Sequence, residues 1–351
     1  MKILPNNSSL IYSGRIDLSD PFAIVWTYPG TFVRIKFKGT QLSIHVRNKH
    51  NYWNNYLGVV EGDAQTKLLL PKEGEATIEI PLQKTQDNIH EVTIFKRQDA
   101  CHELTILGFE INCNTDDECE LLEASPLPPR RIEVYGDSVS AGEVSEAVDY
   151  VAKSDPEHNG EYSNSWYSYA WITARKLDAQ LHDIAQGGIA LLDNTGWYHE
   201  PDYIGMEHVW NKMRYDSSYG QVTEWDFSKY TPDIVIVAIG QNDSHPDDYM
   251  KTDYECEKAK NWRTHYRQFL AKLRETYPDA WIICCTTLLQ HDISWDMSIG
   301  QAVLDIADKK ISHCVFQRNG KATPGHLRIP EAEEMAEELC HYIHSLNIEG
   351  Y

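Results

Sequence analysis

Residues 131–142 read Arg131-Ile132-Glu133-Val134-Tyr135-Gly136-Asp137-Ser138-Val139-Ser140-Ala141-Gly142. A short apolar strand, Ile132 to Tyr135, runs straight into a Gly-Asp-Ser turn. The chain has one periodicity before this stretch and another after it. Downstream, Tyr167 to Leu177 has helical spacing, and Leu181 to Ala185 and Asp233 to Ile239 read as strands. A long amphipathic helix, Tyr254 to Thr276, precedes the strand Trp281 to Thr286. Helix Met297 to Ala307, strand Ser312 to Phe316 and a closing helix Ile329 to Leu346 follow. Five strands alternating with helices predict a parallel sheet with helices on both faces. Ligands of such sheets bind at the carboxyl ends of the strands.

Upstream, Thr31 to Phe37, Leu42 to Val46, Ala76 to Ile80 and Val92 to Phe95 alternate with period two. Pro29-Gly30, Lys38-Gly39 and Glu61-Gly62-Asp63 separate them as turns. Short alternating strands without helical stretches predict an antiparallel β-sandwich over residues 1–125. Asp116-Asp117-Glu118 and Ser125-Pro126-Leu127-Pro128-Pro129 read as a linker, and residues 126–351 form the second domain.

The 351 residues exceed one typical domain, which agrees with this division. The net charge of −21 repels phosphate backbones, so nucleic acid is not expected as a partner. No run approaches the ~18 apolar residues that would span a membrane. Met1 to Asn7 lacks the apolar core of a signal peptide, which points to a cytosolic protein or a trimmed N-terminus. The eight cysteines form no C-x-x-C ligand sets, and reduced thiols packed as small apolar groups are expected.

The strand ends carry the candidate chemistry. Ser138 follows the first strand, where a serine on a tight turn is exposed and a helix N-terminus favours negative charge; it could equally be a helix cap. Gly187 and Gly188 follow the second strand, where glycine lets a backbone N–H approach a ligand. Asn242, in Gly240-Gln241-Asn242-Asp243, could donate to an oxyanion or serve a local loop. His326, in Thr323-Pro324-Gly325-His326, could be a general base.

Each residue alone is ambiguous, but serine, glycine, Gly-x-Asn-Asp and a late histidine occur in order, each at a strand end. That order resembles the SGNH (GDSL-type) hydrolases. In the front half, Tyr12-Ser13-Gly14-Arg15, Trp26, Lys38-Gly39-Thr40, Phe95-Lys96-Arg97 and Leu107-Gly108-Phe109-Glu110 also fall in order. With a sandwich before the hydrolase, the chain looks like carbohydrate esterase family 2. The resemblance implies a jelly-roll domain followed by a flavodoxin-like three-layer hydrolase domain. It also implies removal of O-acetyl groups from hemicellulose-derived mannan, glucomannan or xylan oligosaccharides.

The expected mechanism needs no metal or organic cofactor. His326 takes the proton of Ser138 as the hydroxyl attacks an acetyl carbonyl. The Ser138 N–H, a glycine N–H (Gly188 in preference to Gly187) and the Asn242 amide hold the oxyanion. His341 and His344 lack the companions of a metal site. SGNH enzymes usually carry an aspartate three residues before the histidine; here that position is Thr323, and Pro324 follows. A Ser–His dyad is therefore expected, with a backbone carbonyl of residues 323–325 orienting the imidazole. The Thr323 hydroxyl, Asp292 and Asp296 are the alternatives. Trp197, Tyr198 and Trp295 are candidate sugar-stacking residues, with core packing the alternative for each. The competing functions are another SGNH activity (lipase, thioesterase or arylesterase) and a carbohydrate-binding protein with an inactive hydrolase half. In the latter, Asn51-Tyr52-Trp53-Asn54-Asn55-Tyr56 would be the binding loop.

Overall fold

The computed structural model describes residues 1–99, 102–113 and 119–351, with the backbone alone for His50. Cys101 and the acidic triplet Asp116-Asp117-Glu118 of the expected linker lie outside them.

In the strand Phe32–Lys38, Val33, Ile35 and Phe37 are buried while Arg34, Lys36 and Lys38 face outward. Leu42, Ile44 and Val46 alternate likewise in Gln41–His50. One face of each strand must therefore be covered, and two antiparallel sheets cover each other. Among the described residues each sheet has six strands. The first runs Ile16–Asp17, Ile24–Trp26, His102–Asn112, Gln41–His50, Glu73–Ile80, and Lys2–Ile3 also pairs with His102–Asn112. The second runs Glu120–Leu122, Phe32–Lys38, Ile89–Lys96, Tyr56–Glu61, Ala64–Leu69, and Ile11–Ser13 also pairs with Phe32–Lys38. Trp26, Phe37, Ile94, Ile106 and Phe109 fill the space between them. Each such side chain contributes about 1.5–3 kcal/mol by leaving water.

Among the described residues the parallel sheet has five strands: Arg130–Gly136, Ala179–Ala185, Ile234–Ala238, Trp281–Cys285 and Ile311–His313. Their spatial order is second, first, third, fourth, fifth, the doubly wound order expected for a flavodoxin-like sheet. The strand Ile234–Ala238 is buried throughout because helices cover both faces. Val235 and Val237 pack towards Trp262, Tyr266 and Phe269 of helix Glu257–Thr276. Ile234 and Ile236 join the opposite core with Met335, Leu339 and Ile343 of helix Ile329–Ser345.

The two domains are joined by more than a linker. Arg15 of the sandwich has no exposed surface and reaches under the parallel sheet. Its guanidinium donates to the Tyr135 hydroxyl at 2.8 Å, to Glu133 at 3.3 Å and to the Trp210 carbonyl at 2.6 Å. Burial alone would lower its pKa, but the Glu133 carboxylate overrides this and holds it charged.

One expectation fails here. Cys113 and Cys119 form a disulfide, with Cα atoms 5.6 Å apart. Cys113 follows the strand His102–Asn112 and Cys119 precedes Glu120–Leu122, and both side chains pack at the edge of the sandwich core within bonding reach. Cys284, Cys285, Cys314 and Cys340 are buried thiols, as expected.

Candidate active site

Gly136 ends the first parallel strand, and a side chain there would collide with Ser140 Oγ. The chain therefore turns tightly into the one-turn helix Ser138–Ala141. Asp137 caps that helix by accepting the Val139 N–H at 3.0 Å, so the aspartate of Gly-Asp-Ser is the cap. This leaves the Ser138 hydroxyl free for His326, whose Nε2 lies 2.8 Å from Ser138 Oγ. A hydroxyl at that distance from an imidazole has the geometry of a nucleophile beside its base.

The other face of His326 departs from the expected dyad. Its Nδ1 is 2.6 Å from Asp155 Oδ2, and its backbone N–H donates to Asp155 Oδ1 at 2.9 Å. Buried Arg328 fixes the same carboxylate at 3.0 Å. A carboxylate, not a carbonyl of residues 323–325, orients the imidazole. The Thr323 hydroxyl accepts the Gly325 N–H instead. Asp292 caps helix Ile293–Ile306, and Asp296 is engaged by Thr286 and His291, so neither reaches His326. Gly325 explains how Asp155 can enter. A Cβ there would stand 2.5 Å from Asp155 Oδ1 and 2.7 Å from the Lys153 carbonyl, so any side chain would expel this loop.

The oxyanion candidates converge beside Ser138. The Gly187 N–H is already committed to Asp99 Oδ2 at 3.0 Å, which removes it and leaves Gly188. Gly188 has a φ of 73°, and its carbonyl accepts from Trp197 and Tyr198. Asp243 secures this loop by accepting the Leu191 and Leu192 N–H groups. The Asn242 amide donates to the Ile189 carbonyl at 3.0 Å and to Asp137 Oδ2 at 3.2 Å. An oxyanion would take its second hydrogen from Asp137.

Ser138, Gly187, Gly188, Asn242, His326, Trp197 and Tyr198 all line one cavity of about 680 Å³. This is ordinary size for a small-molecule site. It lies between the domains, with Asn51, Tyr52 and Trp53 of the sandwich supplying the facing wall. Trp197 is 57% exposed and stacks on His245. Tyr198 is largely buried, and its hydroxyl is held by Asp216. Trp295 is not at the rim. It is fully buried against Trp262 and Tyr249, with its indole N–H on Asp248, because the helix turns this residue inward.

Sequence reasoning missed Glu143, whose carboxylate is 3.9 Å from His326 Nε2 and lines the same cavity. Burial pushes the Glu143 carboxyl up to about 7, and Asp99, Asp155 and Asp137 add to the rise against the lowering by His326. Burial would lower the pKa of His326, but Glu143 and then Asp155 raise it to about 9. Asp155 is desolvated too, yet its hydrogen bond to His326 keeps it well below the ordinary carboxylate range.

Comparison with known proteins finds relatives of both domains. Residues 12–117 match the carbohydrate esterase 2 N-terminal family model. The chain is 29% identical over 345 residues to "Cellulase/esterase CelE" of Acetivibrio thermocellus, covering 95% of this chain and 39% of that protein. It is 33% identical over 164 residues to "Acetylxylan esterase / glucomannan deacetylase" of Cellvibrio japonicus, covering 47% of this chain and 41% of that one. The chain thus spans about two fifths of the length of both relatives. A family two carbohydrate esterase from Clostridium thermocellum, solved with cellohexaose, superposes with a TM-score of 0.79 at 26% identity, covering 96% of this chain and 98% of that one. The Cellvibrio japonicus family two esterase shares the fold, with a TM-score of 0.82 at 23% identity and coverage of 99% and 97%.

Proposed function

Because the chain belongs to carbohydrate esterase family 2, we propose that it is a carbohydrate O-acetyl esterase acting through a serine acyl-enzyme. The observation that carries this reading is the alignment of Ser138 Oγ, His326 Nε2, His326 Nδ1 and Asp155 Oδ2 at 2.8 and 2.6 Å. His326 accepts the Ser138 proton as Oγ attacks the acetyl carbonyl carbon. The tetrahedral oxyanion is held by the N–H groups of Ser138 and Gly188 and by the Asn242 amide, which stabilise charge that appears only in the transition state. As the C–O bond to the sugar breaks, His326 returns the proton to the departing alkoxide. Water then attacks the acetyl-serine with His326 again as base, and acetate leaves. Asp155 holds the imidazole in the tautomer that presents Nε2 to serine and stabilises the imidazolium between steps.

The proposed substrate is an acetylated hemicellulose oligosaccharide of the mannan, glucomannan or xylan type. Support comes from the activities for which the relatives are named and from the aromatic side chains Tyr52, Trp53 and Trp197 around the cavity. Mass spectrometry of acetylated manno- and xylo-oligosaccharides before and after incubation tests this. Loss of acetyl mass is expected, and unchanged spectra would refute it. Rates that rise with acyl chain length on simple esters would favour a lipase or thioesterase instead. An intracellular site of action is part of the same proposal and rests on the buried thiols. The Cys113–Cys119 bridge is the observation that weighs against it. Fractionation of the source cells decides, and native protein in the culture medium would overturn it.

A further inference from the structure

We infer that Asp99, a residue of the β-sandwich domain, is a positioning residue for the esterase reaction. It anchors the Gly187 N–H and the Gln186 amide that grips the Gly187 carbonyl, so that the Gly188 N–H faces the acyl oxygen. The inference rests on the esterase reading above and extends it to a residue in the other domain.

A peptide flanked by two glycines is easily rotated, because neither end carries a Cβ to resist it. Rotating this one by half a turn would replace an N–H donor in the oxyanion site by a carbonyl oxygen, which repels the developing charge. One contact opposes that rotation directly, the Gln186 amide on the Gly187 carbonyl, and Asp99 holds both that amide and the peptide before it. Asp99 Oδ2 accepts the Gly187 N–H at 3.0 Å. The same oxygen accepts Gln186 Nε2 at 3.2 Å, and Gln186 Nε2 in turn donates to the Gly187 carbonyl at 3.0 Å. The Tyr215 hydroxyl steadies the Gln186 amide from its other end. Gln186 and Asp99 are both buried, so the Gly187 carbonyl is drawn inwards. In a trans peptide the following N–H points the opposite way, and Gly188 lines the cavity.

Asp99 is itself firmly placed. It follows the strand Ile89–Lys96, and the buried ammonium of Lys96 donates to the carbonyls of Gln98 and Asp99. The sandwich domain therefore supplies part of the rigid frame on which the hydrolase site depends. A buried carboxylate is tolerated because donors meet it, and those donors belong to the segment whose orientation matters.

The test compares Asp99→Ala and Asp99→Asn in the full chain with an acetyl ester substrate. Asp99→Ala should lower kcat by about tenfold or more and leave KM nearly unchanged, because the lost interaction acts on the transition state. Asp99→Asn keeps an acceptor oxygen and should recover much of the loss. Melting temperature monitors the fold. If Asp99→Ala does not fold, Gln186→Leu carries the test, since it removes the grip on the Gly187 carbonyl and should show the same fall in kcat. Wild-type kcat in the folded variant, or equal impairment in the alanine and asparagine variants, would overturn the inference. Ser138→Ala is assayed in parallel. Turnover by that variant would sink the esterase reading itself, whereas an inactive Ser138→Ala beside a fully active Asp99→Ala sinks only the role of Asp99.

Discussion

Asp155 Oδ2 stands 2.6 Å from His326 Nδ1 although 171 positions separate the two residues, and Gly325 is the gap through which it arrives. A partly exposed carboxylate on the far nitrogen, pinned by Arg328, fixes which nitrogen faces serine. Asp155→Asn should therefore lower kcat by ~10²–10⁴, the range expected when the wrong tautomer is favoured. Thr323→Val should have little effect, since its hydroxyl serves Gly325. Steady-state kinetics of the pair separates them; an active Asp155→Asn would restore the dyad. Gly325→Ala should mimic Asp155→Asn, because its Cβ occupies the space of the Asp155 carboxylate.

Ser138→Ala should remove at least ~10³ of the rate and leave melting temperature nearly unchanged. His326→Ala should cost almost as much, and the double variant little more than either one, because the two act as a unit. Residual turnover of Ser138→Ala above a few per cent of wild type would show that another group is the nucleophile.

The pH profile carries a sign. His326 must be neutral to accept a proton, and its pKa is raised to about 9, so kcat/KM should climb as pH rises towards that value. The acidic groups facing the imidazole are Glu143, Asp155 and Asp137. Glu143 titrates near 7, so it is ionised over the upper part of this window and favours the imidazolium. Glu143→Gln should move the limb to lower pH by about one unit, or ~1.4 kcal/mol. A limb that stays in place would show that Glu143 does not act on His326.

Trp197 and Trp295 should respond oppositely. Trp197→Ala should raise KM for oligosaccharides and leave stability alone, since the ring is on the cavity rim. Trp295→Ala should cost about 3–5 kcal/mol of stability, because the ring fills a core between Trp262 and Tyr249. Chemical denaturation and a KM series on the two variants check both expectations.

The contrast shows what the chain made legible. Ser138, Gly188 and Asn242 each sit within four residues of a strand end, and His326 lies on the loop before the closing helix, so periodicity and motif located them without knowledge of packing. Asp155 lies between the first strand and the first long helix, in a stretch with no periodic signal. Its one trace in the sequence is the glycine at 325, whose missing side chain leaves the space that the Asp155 carboxylate fills. Trp295 was misread because following a strand does not say which way a residue points. Its spacing with Ile299 and Ala302, four and seven residues on, marks the inward face of the helix that holds it. The Cys113–Cys119 bridge has no such signature, since two cysteines six apart pair only if the fold presents them to each other.

Arg15 and Glu133 have a consequence for how far this chain can be divided. Cutting at residues 123–129 would not free two modules. It would strip Glu133 of its only cationic side chain, Arg15, among the described residues and open the Tyr28, Tyr135 and Trp225 cage that surrounds the guanidinium. An uncompensated buried charge costs about 3–5 kcal/mol, a large share of what keeps a domain folded. The two halves should therefore melt in one calorimetric transition. The catalytic half is not a portable cassette: transplanted without its sandwich, it leaves behind both the counter-charge beneath its sheet and the carboxylate that braces its glycine loop.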